Sequence, residues 1–165
     1  MNGQTEILNG TQIAQKVKRI AWQINETFYQ ESEIIIAGIT DRGLDLAERL
    51  LRELQSISDI KGKLCAVTIN KKNPLETPVE VSIAAKDFSG KNIVLVDDVL
   101  NSGKTLIYGA KYFLDAPVKK LTTAVLVDRN HNRYPIKADF VGLSLSTTLQ
   151  EHVTVDLAKN TVFLS

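Results

Sequence analysis

From Asn92 to Leu106 the chain reads Asn-Ile-Val-Leu-Val-Asp-Asp-Val-Leu-Asn-Ser-Gly-Lys-Thr-Leu, an apolar run, two adjacent carboxylates and a short Ser/Gly/Lys/Thr loop. The unbroken, mostly β-branched run from Ile93 to Val96 fits a strand buried on both faces, as found in parallel sheets covered by helices. Asp97 and Asp98 then stand at its carboxyl end, outside which open α/β sheets bind their ligands. The backbone amides of Ser102 to Thr105 would face an anion from the start of the next helix, and Gly103 would let the backbone approach it closely. One stretch therefore predicts a buried strand, a ligand crevice and a helix start.

The pattern is not an ATP-type P-loop, because the first glycine of G-x-x-x-x-G-K-[ST] would fall on Asp98. A carboxylate there repels a triphosphate. Beside a phosphate cradle, paired acids suit a sugar: each accepts hydrogen bonds from vicinal hydroxyls and can hold the waters of a Mg²⁺ on the same ligand. The implied ligand is a phosphorylated ribose. A receiver domain also carries an acidic pair, but near its first strand, and here the pair comes late. A dinucleotide-binding domain needs G-x-G-x-x-G after its first strand, which Gly38 and Gly43 do not supply.

Elsewhere, Ile13, Val17, Ile20, Ile24 and Phe28 recur at three-to-four spacing and predict an amphipathic helix capped by Asn9 or Thr11. Strands are expected at Ile34 to Ile39, Leu64 to Ile69, Val79 to Ile83 and Leu121 to Val127, with helices from Leu44 to Leu54 and from about Gly103 to Leu114. This alternation predicts an α/β fold, a doubly wound, mainly parallel sheet flanked by helices. From Ala138 onward the short apolar runs Phe140 to Leu145, Val153 to Leu157 and Thr161 to Leu164 have no helices between them. They read as an edge extension or a small hood over the strand ends.

A chain of 165 residues, 44% hydrophobic, is large enough for one core, so residues 1–165 are expected to form one domain. The net charge of +1, with signs interspersed, gives no compositional reason to expect a membrane or nonspecific nucleic acid as partner. Cys65 lies in an apolar run and, with only two histidines in the chain, leaves no zinc set. The chain shows neither a signal-peptide pattern nor a long apolar span, so a cytoplasmic location is expected.

The acidic pair and its Ser-Gly-Lys-Thr loop resemble the motif with which type I phosphoribosyltransferases bind 5-phosphoribosyl 1-diphosphate (PRPP). Three further stretches are similar to one branch, the PyrR-like pyrimidine-operon regulators, themselves related to uracil phosphoribosyltransferases. They are Ile36-Ala-Gly-Ile-Thr-Asp-Arg-Gly-Leu-Asp-Leu-Ala-Glu-Arg-Leu50, Ala124-Val-Leu-Val-Asp-Arg-Asn-His131 and Tyr134-Pro-Ile-Lys-Ala-Asp-Phe-Val-Gly142. The resemblance runs from about residue 5 to residue 158.

It implies a Mg²⁺-dependent transfer of ribose 5-phosphate from PRPP to a pyrimidine, uracil first. The catalytic residues would be Asp97, Asp98 and Arg42, with Mg²⁺ reached from Asp97 and Asp98 through water. PRPP would rest on Asp97, Asp98, Asn101, Ser102, Gly103, Lys104 and Thr105, and its pyrophosphate on Thr40, Asp41, Arg42 and Gly43 with Lys71 and Lys72. Val127, Asp128 and Arg129 would line the base pocket. In the related 6-oxopurine enzymes the position of Asn101 resembles an aspartate acting as acid or base, a role Asn cannot fill near neutral pH. That favours a pyrimidine. The family's long lid after the second strand is replaced by Asn70-Lys-Lys-Asn-Pro-Leu75, which bears on turnover rate. The resemblance also implies a homodimer or higher oligomer. A second implied reading is a PRPP- or UMP-sensing regulator that binds RNA through Lys18, Arg19, His131 and Lys137.

Overall fold

The computed structural model describes residues 3–165. A short strand β1 (Thr5–Leu8) leads into α1 (Gly10–Phe28), followed by β2 (Glu33–Ile39), α2 (Arg42–Ile57), β3 (Lys61–Thr68), β4 (Glu80–Val81) and α3 (Ala85–Phe88). The site-bearing half comprises β5 (Asn92–Leu100), α4 (Lys104–Leu114), β6 (Lys120–Asp128), β7 (Phe140–Ser144), β8 (Val153–Asp156) and β9 (Thr161–Leu164). Of the two candidate caps for α1, Asn9 is the one used. Its side chain accepts from the Gln12 amide while the Gln12 side chain accepts from the Asn9 amide, a reciprocal capping box.

The main sheet has six strands in the order β4-β3-β2-β5-β6-β7, parallel except for the antiparallel edge strand β4. Side chains alternate across it, Ile34, Ile36, Val94 and Val96 joining the core under α1 and α2, while Ile35, Ala37, Ile93 and Leu95 join the core under α3 and α4. This two-sided burial explains why the central strands read as continuous apolar runs. At its carboxyl edge stands a three-stranded antiparallel sheet in the order β1-β9-β8. Leu8, Val155, Leu157 and Val162 root it in the core beneath α1, and the Arg49 guanidinium of α2 donates to the Leu157 carbonyl at 2.5 Å.

Several elements differ from the sequence expectation. β5 does not stop at Val96 but carries on through both aspartates to Leu100, with every residue buried. Pairing of Asp97 with Val125 and of Val99 with Val127 on β6 holds the acidic pair inside the ladder. Phe140–Ser144 belongs to the main sheet as its parallel edge, so only β8 and β9 build the hood, completed by β1, which no sequence pattern announced. The strand expected from Val79 to Ile83 contracts to Glu80–Val81 and is followed by the short α3.

Candidate active site

The carboxyl end of β5 opens into a cavity of about 320 Å³, lined by Arg42, Lys71, Asp97 to Leu106, Val125 and Val153. That is small-ligand size. Two glycines fix its shape. Gly43, at the start of α2, packs so close to β5 that a Cβ would lie 2.7 Å from the Val96 carbonyl oxygen and 3.0 Å from the Asp97 Cα. The helix N-terminus is thereby held against the acidic pair. Gly103, the N-cap of α4, has φ +88°, in the left-handed region, and a Cβ there would also meet the Ile136 methyl at 2.8 Å.

Asp97 and Asp98 are only 4% and 7% exposed. The Asp97 carboxylate accepts from the Asp98 amide at 2.9 Å, and the Lys71 ammonium lies 3.3 Å from Asp97 Oδ1 and 3.8 Å from Asp98 Oδ1. Burial, reinforced by the neighbouring Asp98 charge, pushes the Asp97 carboxyl up to about 8, while Lys71 pulls the other way. One half-exposed ammonium therefore leaves the pair under-neutralised. Among the described residues no third His, Cys, Asp or Glu joins them to form a metal cluster.

The loop after β5 is tied on both sides. The Ser102 hydroxyl accepts from the Lys104 amide at 3.2 Å, and the Ser102 carbonyl accepts from the Arg133 and Tyr134 amides. The Lys104 ammonium turns to the Lys72 carbonyl at 3.3 Å, linking this loop to the one after β3. There the Asn70 carboxamide oxygen accepts from the amides of Lys72 and Asn73, a compact turn that presents Lys71 to the cavity and leaves Lys72 outside its lining. Thr40 and Asp41, joined by a cis peptide bond, lead into α2. The Thr40 amide donates to Val67, and Asp41 caps the helix with its carbonyl rather than its side chain.

The three residues expected at the base behave differently. Val127 is fully buried, and the Asp128 carboxylate accepts from the Asn130 amide in a left-handed turn. Arg129 is 6% exposed and its guanidinium makes four hydrogen bonds inside the protein. None of the three lines the cavity. Val125 and Val153 do, and no local signal marked them: Val153 arrives only because the hood folds back over the strand ends. Of the basic residues considered for RNA, Lys18 and Lys137 are exposed. Arg19 donates to the carbonyls of Val141 (2.8 Å) and Gly142 (2.6 Å) on the edge strand β7, and the His131 ring lies 2.6 Å from the Thr147 carbonyl.

Two helix starts and a buried acidic pair meeting on one cavity at the carboxyl edge of a parallel sheet define an α/β protein built around a small-molecule site. The chain belongs to the phosphoribosyl transferase domain family, whose profile matches residues 3–159. It is similar to the "Bifunctional protein PyrR" of Streptomyces coelicolor, 35% identical over 160 residues, covering 93% of this chain and 83% of the relative. The protein of the same name from Haemophilus ducreyi is 33% identical over 159 residues, covering 90% and 87%. Solved structures of similar fold include the hypoxanthine phosphoribosyltransferase of Trypanosoma cruzi, with a TM-score of 0.79 at 15% identity over 97% of this chain and 95% of that one. A hypoxanthine-guanine phosphoribosyltransferase from Bacillus anthracis gives 0.77 at 22% identity, covering 96% of each chain.

Proposed function

We propose that this protein transfers ribose 5-phosphate from PRPP to a pyrimidine base, uracil being favoured, with release of pyrophosphate. The observation that carries the reading is the buried Asp97–Asp98 pair flanked by two helix N-termini on one cavity. A ribose bearing a phosphate on one side and a diphosphate on the other has the matching charge pattern. The amides of Ser102 to Thr105 and their two hydroxyls hold the 5′-phosphate. Asp97 and Asp98 accept hydrogen bonds from the ribose hydroxyls and stabilise positive charge on the anomeric carbon as its bond to pyrophosphate lengthens. Arg42, the Gly43 amide and Lys71 take up the charge of the leaving group.

An under-neutralised buried carboxylate pair fits a divalent cation. Asp97 and Asp98 would hold Mg²⁺ through its waters, and the ion would neutralise charge on the pyrophosphate. The pyrimidine assignment is supported by Asn101, which offers no acid or base to a purine, and by relatives that carry the name PyrR. Release of pyrophosphate from PRPP, assayed with uracil, orotate, hypoxanthine, guanine and adenine, tests it. Uracil alone should support release, and Asp98→Asn should slow it about 100-fold or more. Release with a purine alone would refute the pyrimidine assignment.

A second reading has its own support in the short loop after β3 and in relatives named bifunctional: the chain senses UMP or PRPP and binds RNA. Salt-sensitive RNA binding that strengthens with UMP, in the absence of turnover, would favour it. Equal affinity for unrelated RNAs would not.

A further inference from the structure

We propose that the Lys71 ammonium is a resident counter-ion that keeps divalent cations off the acidic pair until a diphosphate draws it away. The inference rests on the phosphoribosyl-transfer reading for what enters the cavity, and adds how the pair is guarded before anything does.

The Asp97 and Asp98 side chains are 5% and 9% exposed, so water does little to screen their charges. Among the described residues Lys71 is the only cation that forms an ion pair with either acid. Its Nζ lies 3.3 Å from Asp97 Oδ1 and 3.8 Å from Asp98 Oδ1, bridging the two rather than serving one. Arg42 lines the same cavity and pairs with neither. A metal ion reached through water would use the same place. A metal-bound water and an ammonium N–H present the same polarised donor to a carboxylate oxygen. The ammonium and the hydrated ion therefore compete for one pair of oxygens, and at such short range their like charges repel.

Lys71 can leave without the chain moving. Its turn is fixed by Asn70 Oδ1, which accepts from the amides of Lys72 (3.1 Å) and Asn73 (3.0 Å), and by Asn70 Nδ2, which donates to Glu76 at 3.2 Å. The Lys104 ammonium adds a tie to the Lys72 carbonyl at 3.3 Å. The Lys71 side chain is 43% exposed on a flexible four-carbon stem. The backbone holds while the ammonium swings.

Its destination is close. A Cβ on Gly43 would lie 3.1 Å from Asp97 Oδ1, the oxygen to which Lys71 donates, so the start of α2 and the acidic pair lie side by side. A diphosphate resting on Arg42 and the Gly43 amide would stand within one side chain's reach of Lys71. In the free protein one positive charge faces two carboxylates. Once a divalent cation arrives with the ligand, its two charges match the pair and the ammonium passes to the diphosphate. Each anion is then better neutralised than before, and the exchange supplies Lys71 to the leaving group only when the metal is present.

Paramagnetic resonance of unbound Mn²⁺, used in place of Mg²⁺, tests the guarding role on ligand-free protein. Lys71→Met, which keeps the length and loses the charge, should bind Mn²⁺ at least about tenfold more tightly than wild type. Lys71→Arg should stay at the wild-type level, and adding Asp98→Asn to Lys71→Met should cancel the gain. If Lys71→Met melts lower than wild type, Mn²⁺ should restore its melting temperature and leave that of wild type unchanged. Calorimetry with pyrophosphate and Mg²⁺ should show the opposite sign, Lys71→Met binding about tenfold more weakly than wild type. Equal Mn²⁺ affinities in wild type and Lys71→Met, or a gain that survives Asp98→Asn, overturn the inference and leave phosphoribosyl transfer in place. Equal pyrophosphate affinities overturn the transfer of Lys71 to the diphosphate. Failure of the wild-type protein to bind pyrophosphate with Mg²⁺ overturns the phosphoribosyl-transfer reading and that half of the inference with it.

Discussion

The Asp97 carboxyl carries opposing demands, because its charged form is useful to a ligand and costly to the fold. Its folded value of about 8 lies above the ordinary 3.8 for a carboxyl, so the folded state binds more protons than the unfolded one between those limits. Its stabilising contribution is complete below about pH 4 and is lost as pH rises toward 8. Asp97→Asn should therefore melt higher than wild type at pH 8 without ligand, by about 1–2 kcal/mol or roughly 2–8 °C, with the difference shrinking toward pH 4. Calorimetric melts giving equal or lower values at pH 8 would contradict this. Asp98→Asn should lower kcat/KM about 100-fold or more through lost ribose contacts and transition-state charge. Gly103→Ala combines a left-handed backbone costing about 1–2 kcal/mol with a clash against Ile136, and should weaken ribose 5-phosphate binding in calorimetry. The acidic pair and its loop were legible at this scale because backbone and side chains lie in one contiguous stretch. The fate of Arg129 was not, since a basic residue after a buried strand points to ligand or protein according to what a distant segment offers. Here Thr147, Thr148 and Glu151 offer acceptors.

Among the elements, the central strands were readable because burial on both faces demands uninterrupted apolar runs. The run-on of β5 through two carboxylates was not, because polarity at a strand's end reads as its end. Only the pairing with β6 and the pressure of Gly43 on Asp97 explain how the acids remain in the ladder. The turn after β3 is braced by Asn70 and by the Lys104 ammonium. With only the short segment between β3 and β4 where a long lid would stand, turnover should be limited by chemistry, so kcat should not change with solvent viscosity in sucrose series. A kcat falling in proportion to viscosity would show that a segment moves in the rate-limiting step. Arg19 blunts the edge of β7 by donating from one guanidinium nitrogen to two carbonyls.

At the scale of the molecule, Mg²⁺ and PRPP should stabilise the fold by mass action. PRPP at 100 times its dissociation constant adds about 2.7 kcal/mol, a rise of roughly 5–11 °C in Tm, and EDTA should cancel most of it. An unaltered shift in EDTA would argue against a cation between PRPP and the acidic pair. The parallel sheet and its two helical layers followed from the alternation of patterns, but the hood's third strand did not: β1 has four residues and one buried side chain, too little for a period to show. Its partner is β9, with Thr5 opposite Leu164 and Leu8 opposite Val162. Nearly the whole described chain separates the two in sequence. On a translating ribosome β1 must therefore wait, unpaired, while the main sheet assembles behind it, and the hood over the cavity closes only when β9 emerges. A nascent chain arrested just after α4 would carry the acidic pair and its loop, but neither the β6 ladder that holds the pair in place nor the hood that walls the cavity.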